Sequence, residues 1–269
     1  MSCVLGIDIG SSFSKGVIMR NHEIAGSCVE RSGGDYKLTA ERIKQGLLSM
    51  AGVSTRDIRY TVATGYGSKM VNFADMVMTD LSCHARGVFH LLPRVRTAVD
   101  VGDLYSKAFR IDEKGNLAKF LLSSKCAGGS ARILKVLAKV LQVEVGDLGE
   151  LSLKSQKRVD FSTGCAVFAE SEAISWIAEG VQKEDLVAAI HRALAAQLNS
   201  LAERVGVKKD FALVGGGARD VGLVKSVEEI RHITVMVPPE PHFTAALGAA
   251  IIAGETSKPR ADHSSGTGS

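Results

Sequence analysis

Residues 8–15 read DIGSSFSK, and residues 100–107 read DVGDLYSK. Both stretches fit the pattern D-[IV]-G-x-x-[FY]-S-K, and each lies between two short apolar runs. This arrangement predicts a strand, a tight glycine turn and a second strand, with the aspartate and the glycine at the tip of a β-hairpin. Two copies of one hairpin indicate two related half-domains. Because backbone N–H groups suit phosphate oxygens and carboxylates suit Mg²⁺ or an attacking water, the repeat predicts a nucleotide clamp.

Length and composition are those of an ordinary globular protein. The chain has 269 residues, of which 45% are hydrophobic and 23% charged, which is enough for two modest domains. Its net charge of +4 comes without a basic tract interleaved with aromatic residues, so we expect no nucleic-acid binding. No apolar run reaches membrane-spanning length and no secretory signal is seen, which predicts no membrane association and a cytoplasmic location. In a reducing compartment the five cysteines are expected to be thiols or metal ligands.

Hydrophobic periodicity divides the chain into two similar halves. The first half is predicted to form strands at 4–9, 16–19, 24–29 and 58–63 and helices at 38–50 and 83–92. The second half is predicted to form strands at 97–101, 105–111, 117–122, 211–214 and 233–237 and helices at 130–141, 166–178, 186–205 and 242–253. Strands in groups followed by helices indicate an α/β architecture. We expect half-domains at 1–95 and 96–254 and a disordered tail at 255–269, with the last helix a candidate to pack back on the first half.

A third glycine turn follows the predicted strand 211–214, where residues 215–217 read GGG. Glycine lets the backbone approach a ligand closely, and a strand-to-helix glycine turn places N–H groups where an anion can bind. Any one of the three turns taken alone is more simply a hairpin or packing glycine. The ordered set of three favours a nucleotide site.

This order of glycine turns resembles the actin, heat-shock chaperone and sugar-kinase superfamily of ATPases. The resemblance implies an actin-like (ribonuclease H-like) α/β fold, with two related half-domains around a cleft that binds ATP or ADP with Mg²⁺. It implies two catalytic residues: Asp8 would hold Mg²⁺ through water, and Asp100 would orient Mg²⁺ or the attacking water. The implied nucleotide contacts are Gly10, Ser11 and Ser12 at the terminal phosphates, Gly102 in the second phosphate loop, and Gly215, Gly216 and Gly217 at the adenosine.

Lys15 has two interpretations. It is a candidate for a positive charge near the phosphates, where charge neutralisation assists phosphoryl transfer. It fits a solvent-facing position equally well, because a strand alternates its faces.

Two cysteines share one local design. Cys126 lies in KCAGGS at residues 125–130 and Cys165 in STGCA at residues 162–166, each just before a predicted helix. A helix N-terminus stabilises a thiolate, which a metal–sulfur cluster requires. Two cysteines do not complete a four-thiolate site, so a second subunit would have to supply the other pair. The alternative is that both are small buried core residues.

The residues around these cysteines look like the BadF/BadG/BcrA/BcrD-type ATPase family, which comprises benzoyl-CoA reductase subunits and 2-hydroxyacyl-CoA dehydratase activators. The resemblance covers residues 3–253. It rests on KCAGG (125–129), CAVFAESE (165–172), ATGYG (63–67), SCHARG (82–87), AIHR (189–192) and AALGAA (245–250). It implies a [4Fe–4S] cluster shared between two subunits and held by Cys126 and Cys165 of each. It also implies ATP-driven transfer of a low-potential electron to a partner enzyme, with ferredoxin as the donor.

One departure bears on the branch of the family. Dehydratase activators resemble D-I-G-G-Q-D in the second phosphate loop, whereas residues 100–105 here read DVGDLY. Residues 101–110 and 84–87 look closer to an ATPase subunit of class I benzoyl-CoA reductase. The main hypothesis is therefore an ATPase subunit of an aromatic acyl-CoA reductase, paired with a homologous ATPase subunit and serving substrate-binding reductase subunits. The missing Gln implies slow hydrolysis in this subunit.

Three alternatives remain open: a homodimeric activator of a 2-hydroxyacyl-CoA dehydratase, a sugar-type kinase, and an actin-like assembly protein.

The remaining cysteines and the histidines are not expected to take part in catalysis or cluster binding. Structural roles are expected for Cys3, Cys28 and Cys83, and polar or capping roles for His84, His191 and His232. Glu170 and Glu172 face either the nucleotide cleft or solvent.

Overall fold

The computed structural model describes residues 3–123, 129–161 and 166–257, with Ala166 and Val167 described by their backbone only. The chain forms two compact units, Met1–Met78 with Ala249–Ser269, and Thr79–Gly248. This division falls earlier in the chain than the expected boundary between residues 95 and 96. The helix at Asp80–Leu91 contributes buried side chains to the core of the second unit, which accounts for the earlier division.

The first unit is built on a five-stranded mixed sheet with the strand order β3-β2-β1-β4-β5. Strand β1 is antiparallel to β2 and parallel to β4. The elements are β1 (Cys3–Ile9), β2 (Phe13–Arg20), β3 (Glu23–Arg31), α1 (Tyr36–Ala51), β4 (Ile58–Thr64) and β5 (Met76–Val77). The last helix that the structure describes, α8 (Thr244–Thr256), begins in the second unit and ends here.

Helix α1 packs on the sheet through Ile43 and Leu47, both fully buried. Gly16 in β2 makes this approach possible, because a Cβ at that position would lie 2.6 Å from the Leu47 side chain. The helix has defined ends: the Asp35 side chain accepts a hydrogen bond from Leu38 N at 2.9 Å, and Gly52 ends it at φ +62°.

The second unit repeats this plan with a four-stranded sheet in the order β8-β7-β6-β9. Its strands are β6 (Thr97–Val101), β7 (Ser106–Ile111), β8 (Leu117–Leu122) and β9 (Phe211–Val214). Its helices are α2 (Asp80–Leu91), α3 (Arg132–Leu141), α4 (Leu148–Ser152), α5 (Ala166–Ala178), α6 (Lys183–Val205), α7 (Val221–Arg231) and α8 (Thr244–Thr256). Strand β6 is antiparallel to β7 and parallel to β9, as β1 is to β2 and β4.

Helices cover both faces of the second sheet, which explains why β6 is buried along its whole length. Val99 and Val101 face a core that α3, α6 and α7 complete. Ala98, one residue out of phase, packs instead with the core that includes Ala85 of α2 and Phe109 of β7. The two mixed sheets and their shared strand order confirm the predicted α/β fold of two related halves.

The strand predicted at 233–237 is wrong. The structure has only an isolated bridge there, between Met236 and Ala212. Two prolines, Pro238 and Pro239, follow at once and have no N–H to extend the pairing, which limits the contact to this single point. Within the described part of the chain, no helix is long and apolar enough to cross a membrane.

Candidate functional site

The first repeated motif forms the predicted hairpin between β1 and β2. Asp8 and Lys15 are register partners, and Lys15 Nζ lies 3.1 Å from Asp8 Oδ2. The loop between the strands needs glycine at its first position, because a Cβ on Gly10 would collide with the carbonyl oxygen of Phe13. Ser32 supports the loop by donating from Oγ to Gly10 O at 2.7 Å. The Lys15 side chain is only 16% exposed, so it is not the solvent-facing residue of the second interpretation.

The second motif repeats this geometry between β6 and β7. Asp100 and Lys107 are register partners, and Lys107 Nζ lies 3.2 Å from Asp100 Oδ2. A Cβ on Gly102 would lie 2.6 Å from Tyr105 O, which is the counterpart of the contact at Gly10. The two hairpins therefore share their pairing, their ion pair and their glycine requirement.

The second hairpin has additional partners from α2 and α8. Lys107 also donates to Asp80, and His84 Nε2 lies 3.5 Å from Asp100 Oδ2. His84 is in turn joined to Thr244 by a hydrogen bond of 2.8 Å at Nδ1. These side chains form a largely buried polar network of two carboxylates, one ammonium and one imidazole.

Electrostatics within this network favour the charged forms of Lys107 and Asp80. Burial alone would lower the pKa of Lys107, but the carboxylates of Asp100 and Asp80 outweigh it and raise that pKa above its ordinary value. Burial alone would raise the pKa of Asp80, but Lys107 and His84 outweigh it and lower that pKa. The network therefore contains a stable ion pair beside Asp100.

Each aspartate lies against a glycine turn, and this turn follows the neighbouring parallel strand. Gly65, just after β4, has φ +87°, and a Cβ there would collide with Asp8 Oδ1 and lie 2.6 Å from Ile9 O. Gly215, just after β9, has φ +83°, and a Cβ there would collide with Asp100 Oδ1. The glycine two residues later is equally constrained in both turns. A Cβ on Gly67 would lie 2.5 Å from a side-chain carbon of Ile9, and a Cβ on Gly217 would lie 2.5 Å from a side-chain carbon of Val101. The G-x-G turn is thus a second duplicated feature of the site.

Sequence reasoning identified the third turn at Gly215–Gly217 but left Gly65 and Gly67 as an ordinary turn. It also missed Lys107, Asp80 and Thr244. The signal for Lys107 was available, because it occupies the place of Lys15 in the repeated motif. The role of Gly65 depends on the parallel pairing of Asp8 with Thr64, which a local pattern does not reveal.

The three histidines fall in different settings. His84 contacts Asp100 and so belongs to the candidate site. His191 is fully buried on α6, with Nε2 3.0 Å from Asp220 Oδ2, and Asp220 also caps α7. His232 is the C-cap residue of α7, with φ +53°.

Cys126 and Cys165 lie outside the described residues. Among the residues that the structure does describe, no group of three or more His, Cys, Asp or Glu side chains is arranged to hold a metal ion. Cys3 and Cys83 are buried, as structural cysteines are expected to be. Burial, followed by the nearby charge of Glu30, raises the pKa of Cys28 to about 11, which makes it an unreactive thiol.

Glu170 and Glu172 lie on α5, where Glu170 is exposed and Glu172 is partly buried. Exposed apolar side chains share the helix: Phe168 is 66% exposed and Ile174 55% exposed.

Comparison with known proteins extends over almost the whole chain. Residues 5–253 match the BadF/BadG/BcrA/BcrD ATPase family. The chain is 41% identical to the 2-hydroxyisocaproyl-CoA dehydratase activator of Clostridioides difficile over 254 residues, covering 94% of this chain and 96% of the relative. It is 31% identical to a benzoyl-CoA reductase subunit of Thauera aromatica, covering 93% of each chain.

Solved structures agree with this. The crystal structure of component A of (R)-2-hydroxyglutaryl-CoA dehydratase from Acidaminococcus fermentans superposes with a TM-score of 0.92 at 38% identity, covering 96% of this chain and 99% of that one. A ROK family glucokinase from Streptomyces griseus, with a TM-score of 0.57 at 12% identity over 94% of this chain and all of its own, shares the fold alone. The chain has the actin-like ATPase fold, and it belongs to the BadF/BadG/BcrA/BcrD ATPase family.

Proposed function

We propose that this chain is an ATP-dependent activator of a 2-hydroxyacyl-CoA dehydratase, which uses ATP hydrolysis to pass a low-potential electron to its partner enzyme. The observation that carries the nucleotide part is the duplicated site, in which each unit places an aspartate, a paired lysine and a G-x-G turn at the same positions. The similarity to dehydratase activators over nearly the whole chain supports the rest.

The choice of branch reverses the main hypothesis of the sequence analysis. The second phosphate loop favoured a benzoyl-CoA reductase subunit. However, three dehydratase activators are 37–41% identical to this chain, whereas the benzoyl-CoA reductase subunit of Thauera aromatica is 31% identical. A local motif of a few residues carries less weight than identity over more than 250 positions. The aromatic acyl-CoA reductase is the second candidate, supported by that loop.

In the first unit, Asp8 would hold Mg²⁺ through water, and the loop at Gly10, Ser11 and Ser12 would bind the terminal phosphates. The donor set fits this assignment, because carboxylate oxygen is a preferred Mg²⁺ ligand and the loop can offer backbone N–H groups. Lys15, held beside Asp8, would supply positive charge. Phosphoryl transfer depends mainly on such positioning and charge neutralisation.

In the second unit, Asp100 would orient the attacking water, while Lys107 and His84 fix the carboxylate in place. Gly102 lies in the same loop, and Gly215, Gly216 and Gly217 would pack on the adenosine. Phe211–Val214 ends directly at this turn, which fixes the turn to the sheet.

Cys126 and Cys165 would hold a [4Fe–4S] cluster together with the same pair from a second subunit. Such a cluster supplies a site that accepts and releases one electron at low potential. The support for this assignment is the sequence around each cysteine and the family to which the chain belongs. Ferredoxin is the proposed donor, and a dehydratase component the proposed acceptor.

The test is anaerobic purification followed by measurement of mass, iron content and ATP turnover. We expect a homodimer with about four irons per dimer, loss of the cluster spectrum in Cys126→Ala and in Cys165→Ala, and loss of ATP turnover in Asp8→Asn. Cys28→Ala is the matched control. Cys28 is far from Cys126 and Cys165 in the sequence and its thiol is partly buried, so this variant should keep its iron. A cluster that survives Cys126→Ala, or an iron-free chain that phosphorylates a sugar, would contradict the proposal.

A further inference from the structure

The tip of the second hairpin is ionically joined to helix α3. Asp103, in the loop between β6 and β7, has Oδ1 at 2.6 Å from Lys135 Nζ and Oδ2 at 3.6 Å from Arg132 Nη2. The Asp103 side chain is only 16% exposed, although both cations are exposed by more than 40%. An ion pair with one largely buried partner is screened less by solvent than a fully exposed pair.

A backbone hydrogen bond joins the same two elements. Ala131, which directly precedes α3, donates from N to Gly102 O at 2.9 Å. The loop and the first turn of the helix are therefore connected at the main chain as well as through charge.

The sequence of α3 explains why the loop carboxylate fits here. The helix has no acidic residue in its first turn, and its N-cap residue, Ala131, makes no side-chain capping bond. An anion near a helix N-terminus is favourable, and Arg132 and Lys135 add positive charge to the same turn. Asp103 is thus a negative charge that α3 itself lacks.

Asp103 also stands where this chain departs from the activator pattern D-I-G-G-Q-D, which has glycine at this position. A glycine has no side chain with which to reach α3. The ionic link is therefore a feature of this chain rather than of the motif it resembles.

We propose that Asp103 is a positioning residue that couples nucleotide binding at the Gly102 loop to helix α3, the helix that follows Cys126 in the chain. The proposal rests on the proposed function, because it takes the loop to be a nucleotide loop. When phosphate contacts shift or stiffen the loop, the Asp103 carboxylate transmits this change to Lys135 and Arg132, and the first turns of α3 respond. A substitution that removes the charge of Asp103 breaks both ionic contacts. Of the links described above, it leaves the hydrogen bond from Ala131 N to Gly102 O.

The test is amide hydrogen exchange of the full chain, with residues 129–141 followed by mass spectrometry in the presence and absence of Mg²⁺ and a non-hydrolysable ATP analogue. In the wild-type chain we expect saturating analogue to slow exchange in the first turns of α3 about three- to fivefold, which is the upper part of the range for exposed ion pairs. Asp103→Asn and Lys135→Met should each abolish most of that slowing. Asp103→Glu, which keeps the charge, should restore it.

Glu203→Gln is the matched control, because it removes a carboxylate from an ion pair with Arg231 elsewhere in the same unit and should respond as the wild-type chain does. Nucleotide binding to each variant is measured separately by calorimetry so that every comparison is made at saturation. Full slowing in both Asp103→Asn and Lys135→Met would overturn this proposal and leave the proposed function intact. Failure of the wild-type chain to bind the analogue would instead overturn the proposed function, and this proposal with it.

Discussion

At the scale of single residues, each unit has its own candidate loop, in which an aspartate pairs with a lysine and contacts a glycine turn. Gly65 is a sensitive position, because its φ of +87° and the proximity of Asp8 both exclude a side chain. We expect Gly65→Ala to lower the free energy of unfolding by about 2 kcal/mol or more and to weaken ATP binding. Urea denaturation and calorimetry measure the two effects.

Gly46 in α1 provides the opposite case within the same unit. A Cβ at Gly46 would meet nothing within 4 Å, and the position lies in a helix interior. Gly46→Ala should therefore stabilise the protein by about 0.5–1 kcal/mol. Equal effects of the two substitutions would show that the contact between Gly65 and Asp8 has no importance.

Lys107 supplies the ammonium group that lies beside Asp80 and Asp100 in this network. Lys107→Met would leave the buried Asp100 and the partly buried Asp80 without it, and we expect a loss of about 3–5 kcal/mol at neutral pH. The pH dependence should also invert. In the wild-type chain Lys107 lowers the pKa of Asp80, so this contribution exists above the ordinary carboxyl pKa and is lost as the pH falls through the lowered value.

In Lys107→Met the Asp80 carboxyl loses its ammonium partner, so burial raises the pKa of Asp80 instead, and acidification toward about pH 5 should recover part of the lost stability. Denaturation curves of both proteins between neutral and mildly acidic pH measure this difference. A variant whose stability falls in parallel with that of the wild-type chain would contradict the network. Lys15→Met tests the equivalent single pair in the first unit.

At the scale of elements, helix α6 holds the segment that leads toward Cys165. Asp185 Oδ1 accepts hydrogen bonds from Ser155 Oγ, Gln156 N and Lys157 N, each at 2.9 Å. The hydrogen bond from Lys157 N has the largest effect on the carboxyl group, and together the three bonds lower the pKa of Asp185. Two turns later, Arg192 Nη2 donates to Val159 O at 2.5 Å.

Asp185→Ala should cost roughly 1–2 kcal/mol of unfolding free energy and speed amide exchange at 155–161, because three donors lose their acceptor. Asp185→Asn keeps an oxygen acceptor and should cost less. Glu184→Gln removes a charge from the same helical turn and is the control. Unchanged exchange at 155–161 in Asp185→Ala would show that the segment is held in another way.

The elements were largely predictable, whereas their contacts were not. The hairpins follow from a repeated local pattern, and the strands Thr97–Val101 and Leu117–Leu122 begin and end where periodicity places them. The strand expected at 233–237 fails because apolar content alone does not ensure pairing next to two prolines. Asp80, His84 and Lys107 meet only because α2 packs against the second sheet, and such long-range convergence leaves no mark on a local pattern.

At the scale of the whole molecule, the repeated architecture fits the nucleotide-dependent activator that we propose. Two units whose sheets share the order of four strands present equivalent aspartate, lysine and glycine positions. The proposed cluster cysteines follow in the second unit, each close in sequence to α3 or α5. Nucleotide chemistry and electron transfer would thus share one set of helices.

The central claim is tested most directly by mixing the anaerobically purified, reduced chain with a 2-hydroxyacyl-CoA dehydratase component and measuring dehydration with and without Mg²⁺ and ATP. We predict that the dehydratase becomes active only when both ATP and the wild-type chain are present. We predict no activation by Asp8→Asn or by Cys126→Ala. Activation without ATP, or by the chain that lacks Cys126, would contradict the proposed function.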